Sequence, residues 1–398
     1  MRRIDLGRAQ AARPNTIRDI NRQIVLNYVR ERGPISRAEI ARETALQRST
    51  VSLIVEELKA VGLIETVRAG ESTGGRPPEL LCLRAPGAVA IGVDITPNRT
   101  TIATSDLSGL ILEREEFLTN PNFKKTINQV IDCVQGLVKK SNKSIEGVGV
   151  SIPGWVNPTT GTVSYVPYFK WRDLSVADDI SSATGLMVTV DNDANAAALA
   201  ELWFGRPEVS KVRNFIMVLV HEGIGTGIVF DGQLYRGVNG VAGEFGHMII
   251  GPEAPVICSC GNRDCWEAFS CERAAIARYL VSSSWVKGRR NISYAQLVKR
   301  ALDGEEAARS AIMQTAYYLG IGIINLIVGL SPEAVIVTGT IVSAWPLVST
   351  ALAEMVEKNT SRGLTLVPIS ASTLGEQPSL LGALSLVLAS KFTSVLTT

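Results

Sequence analysis

The sequence predicts an α/β protein in which a winged helix-turn-helix domain, residues 1–86, precedes a larger domain, residues 87–398. Three observations support this. Short helices joined by a tight turn open the chain, strands alternate with helices from Ala88 onward, and the two parts differ in charge. Residues 1–86 hold 15 Lys and Arg against 10 Asp and Glu, whereas the remainder holds 25 against 28. A basic head on a slightly acidic body is expected where only the head contacts a polyanion.

Composition favours a globular protein of the cytoplasm. Of the 398 residues, 46% are hydrophobic and 20% are charged, which is enough for a large core. We expect no signal peptide, because the N-terminus is charged. The longest apolar run, Leu319–Leu330, has 12 residues, fewer than the roughly 20 that span a bilayer, so no membrane contact is expected. Six cysteines in a reducing compartment are expected to be core residues or metal ligands.

The first sixty residues are predicted to form three helices. The first ends at Gly33-Pro34, and Ser36 with Glu39 forms a capping box at the second. After a tight turn, the third helix begins with a cluster of polar side chains: Gln47, Arg48, Ser49, Thr50 and Ser52. At this end of a recognition helix, side chains reach base edges in the major groove of double-stranded DNA. The segment is therefore predicted to bind DNA; the alternative is a three-helix protein-interaction module.

Two short strands around a polar loop are predicted to form the wing, at 63–67 and 80–83. Arg76 in the loop is a candidate for a narrow minor groove, where the negative potential is enhanced. The alternative is that Arg76 is a solvated residue of a flexible linker.

In the larger domain, a strand is predicted to run directly into a helix at Val190–Asn195, which holds four Asp or Asn residues. Side chains at such a strand end project into a crevice between the elements. Carboxylates and amides there suit a polyol, because each hydroxyl group both donates and accepts a hydrogen bond. The alternative is an Asx-rich helix cap.

A second segment has the residue types of a metal site. His247 precedes three closely spaced cysteines by eleven residues, and the set spans 247–265: His247, Cys258, Cys260 and Cys265. Three thiolates and one imidazole suit one tetrahedral structural Zn²⁺ per chain. Zinc would fix the loop that carries Glu244 and Glu267 at the cleft. The alternative is a group of free buried cysteines.

These segments resemble the ROK family, named for repressors, open reading frames and kinases, and the resemblance covers essentially the whole chain. It is carried by SIPGWVNPTTGTV (151–163), DNDANAAALAE (191–201), GVAGEFGHMIIG (240–251) and CSCGNRDCWE (258–267). The cysteine–histidine block is the most specific of these. The resemblance implies a two-lobed, actin-like ATPase fold, similar to that of the ROK sugar kinases, with a sugar held between the lobes.

The resemblance also implies roles for individual residues. Backbone or side chains at six positions would contact the sugar: Gly154, Asn192, Asp193, Glu244, His247 and Glu267. His247 would use one ring nitrogen for the sugar and the other for zinc. In kinases of the family, the residue that matches Asp193 is the general base that activates the sugar hydroxyl.

Three departures from the kinases distinguish a receptor from an enzyme. Kinases of the family carry Asp-x-Gly-Gly-Thr, whose glycines let backbone amides approach the ATP phosphates. Here Asp94–Thr100 lacks both glycines, and Pro97 has no N–H group. The second phosphate turn, within His221–Gly227, places Glu222 where a carboxylate would repel a polyphosphate. Gly339-Thr340, on the adenosine side, keeps only half of the usual glycine pair.

We therefore expect a non-catalytic, sugar-responsive repressor of carbohydrate catabolism or transport genes. It would bind a pseudo-palindromic operator as a homodimer or a dimer of dimers, and sugar would release it. The resemblance is to repressors for xylose, glucose-type signals and N-acetylglucosamine. Two alternatives stay open: an active, ATP-dependent hexose kinase fused to a DNA-binding domain, and a regulator that responds to a partner protein.

Overall fold

The computed structural model describes the chain over these ranges: 14–68, 79–84, 88–205, 212–282, 292–360, 366–375 and 377–392. Arg76, the predicted minor-groove residue, lies outside the described residues, and so does the predicted domain boundary between residues 86 and 87.

The head consists of three helices and a three-stranded sheet: α1 Pro14–Arg32, β1 Ile35–Ser36, α2 Arg37–Thr44, α3 Arg48–Ala60, β2 Ile64–Arg68 and β3 Glu79–Leu83. The predicted capping box is confirmed: the Ser36 hydroxyl accepts from the Glu39 N–H, and the Glu39 carboxylate accepts from the Ser36 N–H. Strand β3 lies between β1 and β2 in antiparallel pairing. Strands β2 and β3 are the two predicted wing strands.

The first lobe of the larger domain is a five-stranded sheet with two covering helices and a small three-stranded sheet. Its elements are β4 Ala88–Ile95, β5 Arg99–Ser105, β6 Ile111–Leu118, α4 Phe123–Lys140, β7 Ser144–Ile152, β8 Trp155–Asn157, β9 Thr162–Val166, β10 Trp171–Leu174, α5 Val176–Thr184 and β11 Val188–Asn192. The large sheet has the order β11-β7-β4-β5-β6, with β4, β7 and β11 parallel. Strands β4 and β11 consequently end at the same edge.

The second lobe repeats a five-stranded sheet, in the order β14-β13-β12-β15-β16. Helix α6, Asp193–Phe204, leads into it from the first lobe. The remaining elements are β12 Phe215–Val220, β13 Ile224–Phe230, β14 Gln233–Leu234, α7 Trp266–Ser270, α8 Glu272–Ser282, α9 Tyr294–Leu302, α10 Glu306–Leu330, β15 Ala334–Gly339, α11 Trp345–Thr360, β16 Ile369–Ala371 and α12 Pro378–Phe392. Strands β12, β15 and β16 are parallel, and β13 is antiparallel to β12.

Helix α10 extends well beyond the apolar run Leu319–Leu330 on its N-terminal side. Its 25 residues are apolar enough to cross a membrane by length and composition. Within the structure, however, its buried residues, such as Ile312, Leu319 and Ile323, belong to the hydrophobic core of the second lobe. We interpret α10 as a core helix.

Helices α6 and α12 cross each other, and both contact the hydrophobic cluster of the head. At the crossing, a Cβ on Gly382 would lie 2.1 Å from the Ala196 carbonyl oxygen, so the close approach depends on glycine. Further along α12, Leu384 and Leu388 are buried in one hydrophobic cluster with Val25 and Leu58 of the head. The head is therefore packed directly on the C-terminal helix.

Candidate functional site

The outward side of α3 carries the residues predicted to contact DNA. Gln47 is the N-cap residue, so the helix begins at Arg48, one residue later than the polar cluster. Gln47, Arg48 and Ser49 are exposed, whereas Thr50 and Ser52 are half-buried. The opposite side of the helix is apolar and buried, through Val51, Ile54, Val55 and Leu58. The exposed residues and the end of the helix are available to a major groove.

Two carboxylates on α3 are paired with arginines from the other helices of the head. Arg37 of α2 donates to Glu56 at 2.7 Å, and Arg18 of α1 donates to Glu57. The Arg37 hydrogen bond lowers the pKa of Glu56 below its ordinary value. The negative charge on this helix is thus partly neutralised beside the surface that would approach phosphates.

The cleft between the lobes brings together all six residues predicted to contact a sugar. Its walls surround about 930 Å³ of space, part of which is open to solvent. Its lining includes Gly154, Asn192, Asp193, Glu244, His247 and Glu267, together with the two turns at Thr96-Pro97 and His221–Gly225 that were compared above with the phosphate turns of the kinases. Sequence segments more than 170 residues apart therefore form one site.

Asn192 is at once a cleft residue and a helix cap. Its side-chain oxygen accepts from the Ala194 N–H at 2.9 Å, and its amide nitrogen donates to the Gly154 carbonyl at 3.0 Å. Gly154 has a φ of +104°, and a Cβ there would lie 2.2 Å from the Tyr165 carbonyl oxygen. The helix-cap alternative is therefore correct for Asn192, and the cap also fixes Asn192 and Gly154 against each other at the cleft wall.

Asp191, next in sequence, has a purely internal role that the sequence did not indicate. Its carboxylate is buried and accepts from the Arg236 side chain at 2.8 Å and from the Asn195 amide at 3.1 Å. The partner Arg236 lies 45 positions away, and no local motif marks the pair. This ion pair holds the end of β11 where Asp193 enters the cleft.

Glu244 and His247 face the cleft from the second lobe. The His247 Nε2 and Glu244 Oε2 atoms are 3.5 Å apart. Burial raises the pKa of Glu244 to about 7, although a hydrogen bond from Trp155 opposes the rise. A carboxyl group that is partly protonated near neutral pH both donates and accepts. Trp155 and the cleft residue Tyr168, 49% exposed, are aromatic groups at this site that the sequence reasoning missed.

Behind the cleft, the predicted metal ligands converge. The ligand atoms of His247, Cys258, Cys260 and Cys265 all lie within 4.8 Å of one another. The His247 Nδ1 and Cys258 Sγ atoms are 3.2 Å apart, and the Cys260 and Cys265 sulfurs are 3.9 Å apart. Around a tetrahedral ion with metal–sulfur distances near 2.3 Å, sulfurs lie about 3.8 Å apart. The four side chains could hold a metal ion, and His247 would keep Nε2 free toward the cleft.

Glu267 connects this cluster to the cleft wall. One oxygen of its buried carboxylate accepts from the Ser259 N–H at 2.8 Å and from Arg273 at 3.1 Å, and lies 3.3 Å from the Cys258 sulfur. The other oxygen accepts from the Ile224 N–H at 3.4 Å. Movement of the cysteine loop would therefore displace a cleft residue directly.

The two turns at Thr96–Arg99 and His221–Gly223 use their polar groups in hydrogen bonds within each turn. In the first turn, the Thr96 N–H donates to the Arg99 carbonyl at 3.0 Å, and the Arg99 N–H donates to the Thr96 hydroxyl at 3.2 Å. In the second, the His221 N–H donates to the Gly223 carbonyl at 2.9 Å. The turns also contact each other, because the Asn98 amide of the first lobe donates to the Glu222 carboxylate of the second.

Carboxyl groups dominate the electrostatics of this end of the cleft. Burial raises the pKa of Asp94 to about 7 and raises the pKa of Asp193 and of Glu222. Burial opposes charge on His221, but the hydrogen bond to Glu272 and the surrounding carboxylates raise its pKa above the ordinary value. An arriving polyanion would meet these carboxyl groups, with the His221 imidazole and the Arg273 guanidinium as nearby compensating groups.

Two family models match the chain. The ROK family model matches residues 90–390, and a model described as winged helix-turn-helix DNA-binding matches residues 18–65.

Individual relatives match over similar ranges. The chain is 30% identical to the xylose repressor of Bacillus spizizenii over 380 residues, which cover 94% of this chain and 96% of the relative. Its fold is similar to that of a ROK family transcriptional regulator described as a homolog of the Escherichia coli MLC protein, with a TM-score of 0.81 and 25% identity over 95% of this chain and 98% of the other. A ROK family glucokinase from Streptomyces griseus, solved with glucose and AMPPNP, has a TM-score of 0.67 and 28% identity over 75% and 98%.

Proposed function

Because this chain belongs to the ROK family, we propose that it is a sugar-responsive transcription repressor whose head binds operator DNA and whose cleft binds the effector sugar. The observation that supports the proposal is that the six positions predicted to contact a sugar line one cleft, in a domain that packs against a winged helix-turn-helix. The similarity to a xylose repressor over nearly the whole chain supports it and makes an aldose such as xylose the first effector to test.

In the proposed complex, Asp193, Glu244 and His247 hydrogen-bond the sugar hydroxyls, and Asn192 and Glu267 hold the cleft walls. Tyr168 covers one face of the ring, as aromatic side chains present apolar surface to sugar C–H groups. The metal cluster binds one Zn²⁺, which supplies a fixed anchor for the cysteine loop and no chemistry at the sugar. His247 and Glu267 both contact the Cys258 sulfur, so the bound ion would hold both side chains in position at the cleft.

We further propose that the cleft no longer transfers phosphate. Two N–H groups of the first phosphate turn and one of the second are bonded within their turns, and Pro97 has none. Glu222 occupies the gap between the turns and pairs with Asn98. To bind an oxyanion, the turns would have to break these hydrogen bonds. The oxyanion would also lie close to a carboxylate, and repulsion between two charges at about 4 Å and an effective dielectric constant near 20 costs about 4 kcal/mol.

Helix α6 provides the route by which sugar would control DNA binding. It begins at Asp193 in the cleft and ends at Trp203 and Phe204, which pack against the hydrophobic cluster of the head. The Arg30 guanidinium of α1 lies 4.0 Å from the centre of the Trp203 ring. Displacement of α6 by a bound sugar would therefore move α1. In a homodimer, this would change the spacing of two recognition helices that must match two half-sites.

The proposal is tested by titrating operator DNA with the full-length protein in the presence of single sugars. The operator is first selected from random DNA by the protein itself. We expect one sugar among xylose, glucose and N-acetylglucosamine to weaken operator binding about tenfold or more, which corresponds to about 1.4 kcal/mol of coupling. In Asp193→Ala, operator affinity without sugar should persist and the sugar effect should vanish. Operator affinity that no sugar changes would instead favour control by a partner protein.

The route through α6 makes its own prediction. Trp203→Leu should leave sugar affinity and sugar-free operator affinity unchanged but reduce the effect of sugar on operator binding at least about twofold, since a cation–π contact contributes about 0.5 kcal/mol or more. Calorimetry and fluorescence anisotropy measure the three quantities. Trp203→Phe, which keeps an aromatic face for Arg30, is the matched control and should retain most of the coupling. Full coupling in Trp203→Leu would exclude this route.

A further inference from the structure

Leu53 is a large apolar side chain on the polar, outward side of α3. It is 58% exposed, whereas Val51, Ile54, Val55 and Leu58 of the same helix are buried on the other side. Leu53 follows Ser49 by four positions, so the two side chains are neighbours on the helix surface. It therefore lies beside the residues that reach base edges in the proposed complex.

An exposed leucine alone is common on protein surfaces, so the position of Leu53 is what matters. The other strongly exposed large apolar side chains in the described part of the head are Ile17, at the start of α1, and Val61, directly after the last residue of α3. Leu53 lies instead in the middle of α3, next to Ser52 and three positions before Glu56, whose carboxylate is bound by Arg37. The apolar surface is thus confined to one side chain within a hydrogen-bonding face.

The major groove offers one apolar group to such a side chain. Of the four bases, only thymine presents a methyl group there, at C5, while the other base edges present hydrogen-bond donors and acceptors. A leucine can neither donate nor accept a hydrogen bond, so it gains nothing from those other edges. We propose that Leu53 is a specificity-determining residue that selects a thymine in each operator half-site by packing on its C5-methyl group. This inference rests on the proposed DNA-binding function.

The test compares an operator that contains thymine with the same operator synthesised with deoxyuridine, which lacks only the methyl group. For the wild-type full-length protein, we expect the uracil operator to bind more weakly by about fourfold for each half-site, the value of one buried methyl group. Leu53→Ala should bind both operators equally, at the affinity of the wild type for the uracil operator. Leu53→Met, which keeps an apolar side chain, should retain the preference for thymine.

Val61→Ala is the matched control, because Val61 is about as exposed as Leu53 but follows the last residue of α3, at the end opposite the polar cluster. It should discriminate the two operators like the wild type. A wild-type protein that binds thymine and uracil operators equally, or a Leu53→Ala variant that still discriminates them, would overturn the inference and leave the DNA-binding function intact. Failure to select any operator from random DNA would overturn both.

Discussion

Replacing Cys260 with serine is expected to abolish zinc binding and to weaken sugar binding by about 100-fold or more, since even residues that only support metal ligands contribute 10- to 100-fold. Cys260 would be one of four ligands, and its sulfur lies 3.9 Å from that of Cys265. Without the ion, the loop that positions Glu267 through the Ser259 N–H loses its anchor. His247 would lose the ligand contact that orients its ring toward the cleft.

Metal content by mass spectrometry and sugar affinity by calorimetry measure the two effects in one preparation. Cys133→Ser is the matched control, because Cys133 is half-buried on α4, far from the cluster in the first lobe. It should contain one zinc ion per chain and bind sugar normally. A Cys260→Ser variant with full zinc content would show that the metal site is misassigned.

The second large effect is expected at the DNA surface. Arg48→Ala should weaken operator binding by about 30-fold or more in a dimer, because a bidentate arginine–base contact contributes about 1–3 kcal/mol at each half-site. Sugar affinity should not change, since Arg48 lies on the exposed side of α3. The loss should be largest for the operator with its native base at the contacted position and smaller for operators already mismatched there.

Arg114→Ala provides the control for a general loss of positive charge, because Arg114 is an exposed arginine on β6, in the body of the protein. Operator affinity should be unchanged in this variant. If Arg48→Ala binds the selected operator as tightly as the wild type, α3 is not the recognition helix.

Local sequence patterns predicted several features of the head and of the cysteine–histidine cluster. Helical periodicity separated the buried residues of α3, such as Ile54 and Leu58, from the polar residues at its start, because a helix repeats every 3.6 residues. The capping box of Ser36 and Glu39 correctly predicted the start of α2, because its two partners lie within one turn of each other in the sequence. The convergence of His247, Cys258, Cys260 and Cys265 was predictable because histidine and cysteine are rare in this sequence and these four residues are closely spaced.

Contacts between distant segments could not be read from the sequence. The ion pair of Asp191 with Arg236 and the hydrogen bond of Asn98 with Glu222 join residues 45 and 124 positions apart, so no periodicity marks either one. Asn192 shows a different limit. The sequence offered a sugar ligand or a helix cap as alternatives, whereas the residue caps α6 and lines the cleft, since a strand that ends at a crevice starts its helix there.

The apolar run Leu319–Leu330 marks only the second half of α10, because polar residues such as Gln314 and Thr315 precede the run within the same helix. Thr315 is buried and donates its hydroxyl to the Ala311 carbonyl one turn earlier. A buried helix of a soluble core tolerates such residues when their hydrogen bonds are satisfied.

If the cleft kept its hydroxyl-binding groups while the phosphate turns became closed on themselves, the protein should bind a sugar but no nucleotide. Calorimetric titration of the full-length protein with the effector sugar, and then with a magnesium complex of a non-hydrolysable ATP analogue in the presence of that sugar, tests it most directly. We expect saturable heat from the sugar and none from the nucleotide. Saturable nucleotide binding, accompanied by phosphorylation of the sugar when ATP replaces the analogue, would contradict the account and identify the protein as an active kinase.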